Sequence, residues 1–95
     1  MPHLDRTPQA NEDLLQIWAH IAQDSVEAAD RMLLKIDQKC WFLAANPQIG
    51  ELLEQFRPGL RRFVVDNYLV FYQPIESGIE VFRILYGARD IENLL

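Results

Sequence analysis

The sequence predicts an α+β domain in the order β-α-α-β-β-β, with a helical hairpin packed on one face of a largely antiparallel sheet. Three observations predict it. Apolar residues recur at three- and four-residue steps between Leu14 and Leu43; after Gly59 the pattern changes to dense runs of branched and aromatic residues; and Asp66-Asn67 divides those runs as a two-residue hairpin loop would.

The elements follow in order. HLDRT, residues 3 to 7, alternates weakly and reads as an edge strand. Thr7 before Pro8 is a helix N-cap followed by proline at the first helical position, where its missing N–H costs nothing. Leu14, Ile17, Trp18, Ile21 and Ala22 then form one stripe of a helix over residues 8 to 23, with Glu12, Asp13, Gln16 and Gln23 off it. Ser25 caps a second helix, whose stripe is Val26, Ala29, Leu33, Ile36, Cys40 and Leu43 and whose end is marked by Asn46, Pro47 and Gly50. Trp18 and Trp41 lie on these stripes or their margins and are expected to pack in the core or on the sheet. Residues 48 to 58 read as an ordered loop. Strands are expected over Leu60–Val65, Tyr68–Gln73 and Ile79–Tyr86, with a second turn over Pro74–Gly78.

Ninety-five residues make one domain, spanning 1 to 95, with no repeat, linker or low-complexity tract. The net charge of -5 argues against binding that rests on neutralising many phosphates, so direct sequence-specific nucleic-acid binding is not expected. Charge is uneven along the chain: residues 1 to 56 carry nine acids and four bases, whereas residues 57 to 95 carry five of each, and every base there is arginine. A single cysteine, Cys40, excludes an internal disulfide. No apolar run reaches the ~18 residues of a membrane span, and MPHLDRTP has no apolar signal region, which together read as a cytoplasmic protein.

A loop at Asp66-Asn67 pairs Val65 with Tyr68, Phe63 with Val70 and Arg61 with Tyr72 on one face, and Val64 with Leu69, Arg62 with Phe71 and Leu60 with Gln73 on the other. Arg61 and Arg62 therefore point to opposite sides. The last strand divides into Ile79, Val81, Arg83 and Leu85 on one side and Glu80, Phe82, Ile84 and Tyr86 on the other. Both faces are apolar, yet two helices fill only one. Either the tail Ala88–Leu95 folds over the second face or a partner segment covers it.

The run RPGLRRFVVDNYLVFYQP, with GIEVFRILYGARDIENLL after it, closely resembles toxins of the ParE branch of the ParE/RelE superfamily in bacterial type II toxin–antitoxin modules. AANPQIG and EDLLQIWAHIA extend the resemblance over nearly the whole chain. It implies a RelE/ParE-like fold and a cognate antitoxin that wraps and neutralises the toxin in a hetero-oligomer, with the second apolar face as its seat. Members of the ParE branch poison DNA gyrase by trapping it on cleaved DNA; the RelE branch cuts messenger RNA on the ribosome.

RNA cleavage needs a base for the 2′-hydroxyl, an acid for the leaving oxygen and a cation for the phosphorane. The resemblance sets Tyr68 where many of the ribonucleases have an arginine, and Tyr86 near their terminal acid or base. Lys35 and Lys39 belong to the second helix, His3 lies at the N-terminus, and His20 reads as a solvated residue beside Asp24. Arg83 is the residue left to serve a phosphate, although a strand arginine is more often an ion-pair partner. The chemistry favours a protein-binding gyrase poison, with Arg61, Arg62, Arg83, Tyr86 and Arg89 as contact residues and no catalytic residue of its own. The alternatives are a RelE-like mRNA endoribonuclease using Arg83 and Tyr86, and a non-toxic remnant that only binds its antitoxin. No metal site or cofactor is implied.

Overall fold

The structure, a computed structural model, describes residues 1–87. Strand β1 (His3–Arg6) leads into helices α1 (Pro8–Ala22) and α2 (Val26–Ala45), and strands β2 (Glu51–Leu52), β3 (Arg61–Val65), β4 (Tyr68–Ile75) and β5 (Gly78–Tyr86) follow. The five strands form one sheet in the order β1-β5-β4-β3-β2, antiparallel except where β1 lies parallel to β5. Among the described residues no helix is long and apolar enough to cross a membrane.

Both helices start as the sequence predicts. The Thr7 side chain accepts the N–H of Ala10, and that of Ser25 accepts the N–H of Ala28. Ile17, Ile36, Cys40 and Leu43 are buried against Val65, Val70, Tyr72, Ile79, Val81 and Ile84, so the hairpin covers one face of the sheet. Trp18 sits at the margin and donates its indole N–H to Asp30 Oδ1 at 2.8 Å, tying one helix to the other. Two expectations fail. Val26, the first residue of α2, is 54% exposed, and Trp41, one step past buried Cys40 and off the stripe, is 44% exposed.

The hairpin register is the expected one, from Val65 opposite Tyr68 to Arg61 opposite Tyr72. Asp66 adopts φ 54°, and its carboxylate accepts Lys35 Nζ at 2.8 Å, fastening the turn to α2. Three features depart from expectation. Glu51 and Leu52 form a short strand on β3, within the stretch read as loop. Strand β4 runs on through Pro74 to Ile75, so the second turn tightens to Glu76-Ser77 with Ser77 at φ 65°; β3 pairs only as far as Tyr72, so a proline at 74 costs no ladder bond on that side. Finally, Phe71 pairs with Arg83 but Tyr72 with Val81, which leaves Phe82 as the extra residue of a β-bulge.

The bulge reverses the expected alternation after Val81. Ile79, Val81 and Ile84 all enter the helix-covered core, whereas Phe82 and Leu85 pack with Leu53, Leu60, Leu69 and Phe71 on the opposite face. That second face is thus partly covered by the loop between β2 and β3. Leu53 donates its N–H to the Leu60 carbonyl at 2.8 Å, and the Arg57 guanidinium stands 4.3 Å above the Phe82 ring. Val64 on this face remains 58% exposed. The tail expected to fold over it, residues 88–95, lies outside the described residues.

Candidate functional site

Arg61 and Arg62 project to opposite faces, and each holds its own chain. From Arg61, Nη1 donates to the carbonyls of Gln48 (3.0 Å) and Gly50 (2.7 Å) and Nη2 donates to Gln48 Oε1 (2.6 Å), so this side chain sews the segment after α2 to β3. Its cross-strand neighbour Tyr72 does the same from β4: the hydroxyl donates to the Pro47 carbonyl at 3.0 Å and accepts the Gly50 N–H at 2.8 Å. Burial pushes the Tyr72 phenol above its ordinary pKa, while the Gly50 N–H and Arg61 pull it back. Arg62 Nε donates to Glu51 Oε1 at 3.0 Å, pairing β3 with β2 by charge as well as by backbone.

Arg83 lies beside the bulge and meets Asp13 of α1. Its Nε and Nη2 donate to the two carboxylate oxygens at 2.8 and 3.1 Å, and the Ile84 N–H donates to Asp13 Oδ2 at 3.0 Å. Asp13 is 5% exposed, the one buried charged residue among those described. The hydrogen bond to Asp13 raises the Arg83 pKa, against an opposing effect of burial. Sequence reasoning placed Asp13 off the apolar stripe. Its spacing carried the signal, because Ala10, Asp13 and Ile17 are the buried residues of α1 and follow steps of three and four.

Arg83 and Tyr86 belong to one groove of about 610 Å³ between α1 and the end of β5. Asp13, His20 and Tyr68 also line it, with Ile17 and Ile84 among its apolar walls. Tyr86 is 59% exposed and packs edge-on against the buried Tyr68, ring centroids 5.4 Å apart. Burial raises the Tyr68 phenol, and Tyr86 adds to the effect. The structure therefore brings Arg83 and Tyr86 together, adds His20, which the sequence assigned to plain solvent, and leaves Arg61 and Arg62 elsewhere on the sheet. Arg89 lies outside the described residues.

The groove offers hydrogen-bond donors, an aromatic surface and apolar walls. Its cation is bonded to a carboxylate, so the pair presents far less positive charge than a lone guanidinium would. Among the described residues no three His, Cys, Asp or Glu side chains are grouped to hold a metal ion.

Comparison with known proteins agrees with this fold. A family model described as the ParE toxin of the type II toxin–antitoxin system parDE matches residues 4–91. The chain is 30% identical over 91 residues to Toxin ParE1 of Mycobacterium tuberculosis, covering 94% of this chain and 93% of that protein. Toxin ParE3 of Caulobacter vibrioides is 28% identical over 92 residues, covering 96% and 92%. A solved chain of the chromosomal ParDE TA system from P. aeruginosa has the same fold, with a TM-score of 0.75 at 22% identity over 93% of this chain and 98% of that one.

Proposed function

The chain belongs to the ParE toxin family of type II toxin–antitoxin systems, and from that premise we propose that a cognate antitoxin neutralises it and that, once released in the cytoplasm, it poisons DNA gyrase. The antitoxin occupies the second, partly covered sheet face. Target contacts come from the groove, through Arg83 and Tyr86, and from Arg62 and Arg89; Arg61 contributes through the loop it holds. A poison of this kind needs shape and anchoring residues, while the bond-breaking chemistry belongs to the target.

The observation that supports this reading over RNA cleavage is the Asp13–Arg83 pair. The cation that a phosphorane would require is bound bidentately by a buried carboxylate on the protein's own helix, and separating the pair to free it leaves a buried charge uncompensated. The test combines purified protein with gyrase and supercoiled plasmid. Cleaved DNA should accumulate with toxin and return to background when the antitoxin is added first. Codon-phased cuts in ribosome-bound mRNA with no accumulation of cleaved plasmid would transfer the protein to the ribonuclease reading. Unimpeded growth on expression without antitoxin would mark a remnant.

A further inference from the structure

Among the described residues, the outer edge of β5 has no strand neighbour beyond Val81, because β1 ends at Arg6, which pairs with Val81. A bare edge has unpaired backbone groups and no fixed course. Here residues from the start of α1 take the place of a strand. Thr7 donates its N–H to the Val81 carbonyl at 3.0 Å and its hydroxyl to the Phe82 carbonyl at 2.8 Å. Asp13 accepts the Ile84 N–H and the N–H groups of Arg83 Nε and Nη2. Thr7 holds the bulge residue Phe82 and Asp13 holds the two residues after it, so the course of β5 past the bulge is set by α1 and its N-cap.

We propose that Asp13 is a positioning residue for toxicity, holding residues 83–86 so that Arg83 and Tyr86 stand in the groove where the target is engaged. This rests on the reading of the groove as a target-contact surface. A carboxylate suits the task for a specific reason. It accepts a backbone N–H and a guanidinium fork at once, which neither a hydroxyl nor an apolar side chain can do. Asn in its place keeps an acceptor for Ile84 but offers Arg83 no charge.

The test uses the full chain, expressed with and without its antitoxin, as wild type, Asp13→Asn and Ile36→Val. The last variant loosens the core under the helices without touching the groove. Asp13→Asn should need about tenfold more toxin for equal growth arrest, against less than about threefold for Ile36→Val once the two are matched for melting temperature. Equal potency at matched stability, or wild-type potency in Asp13→Asn, would overturn the proposal. Growth arrest does not depend on which target is hit, so a wild type that arrests growth without trapping gyrase refutes the gyrase reading and leaves this comparison standing. NMR of Asp13→Ala supplies a target-free readout. The Ile84 amide should exchange about tenfold faster and the Tyr86 ring signals should move, while the Ile36 and Val70 amides keep their protection. An unchanged Ile84 amide and Tyr86 ring would also overturn it.

Discussion

Tyr72 is fully buried yet carries a hydroxyl, and that hydroxyl decides what residue 50 can be. A Cβ on Gly50 would lie 2.4 Å from the Tyr72 oxygen, so the two positions are chosen together. Cys40 shows the same dependence on surroundings through its chemistry. Burial pushes its thiol from 9.0 up to about 11, with Arg6 lowering it and Asp37 raising it by smaller amounts. The folded protein thus keeps a proton that the unfolded chain releases near pH 9, and the resulting stability is complete below that pH and disappears as pH climbs through 11. Urea titrations should show the wild type losing about 2 to 3 kcal/mol more than Cys40→Ala between pH 8 and pH 11. Equal losses in the two proteins would count against it. At this scale the sequence was legible for face and silent about partner. The hairpin loop put Arg61 and Arg62 on opposite sides, but nothing in a two-residue period says that one holds Gln48 and the other Glu51. Asp13 was missed because a carboxylate within a helix is normally solvated, and the arginine that permits its burial is 70 residues away.

The elements whose ends are fixed by local chemistry were readable. Thr7-Pro8 and Ser25 start helices because side-chain oxygens there meet backbone N–H groups three residues on, and Asp66 turns the hairpin by accepting positive φ. Strand β2 was not readable, since two residues carry no period and its pairing is supplied by β3. Nor was the bulge, which changes the count of residues on β5 without any change in composition. Gly78 provides a prediction for the β1–β5 pairing. A Cβ there would fall 1.7 Å from the His3 carbonyl oxygen, a backbone atom that cannot swing aside. Gly78→Ala should detach β1, with amide protection lost at residues 3–6 and stability reduced by more than about 2 kcal/mol, whereas the β3–β4 amides stay protected. Hydrogen exchange read residue by residue checks it.

At the scale of the molecule, one sheet separates a core sealed by two helices from a second face that the β2–β3 loop covers only in part. A partner binding the folded state alone adds stability by mass action. At a free antitoxin concentration 100 times its dissociation constant the gain is about 2.7 kcal/mol, which for a domain of this size raises the melting temperature by at least about 10 °C. Scanning calorimetry of the toxin alone and in its complex measures the difference. A rise of only a degree or two would argue against the antitoxin seat proposed on this face.

Thr7 hydrogen-bonds to a carbonyl 75 residues farther along, and among the described residues β5 is the one strand beside β1. During translation the sheet's outer ribbon therefore cannot close until β5 has emerged from the ribosome. At about 5 to 20 residues per second, the 38 residues from Ala45 to Arg83 leave a nascent chain roughly 2 to 8 s in which both helices can form while the arm bearing Arg83 and Tyr86 does not yet exist. The wiring of the sheet therefore keeps the groove between α1 and β5 from forming until both helices have had that interval to fold.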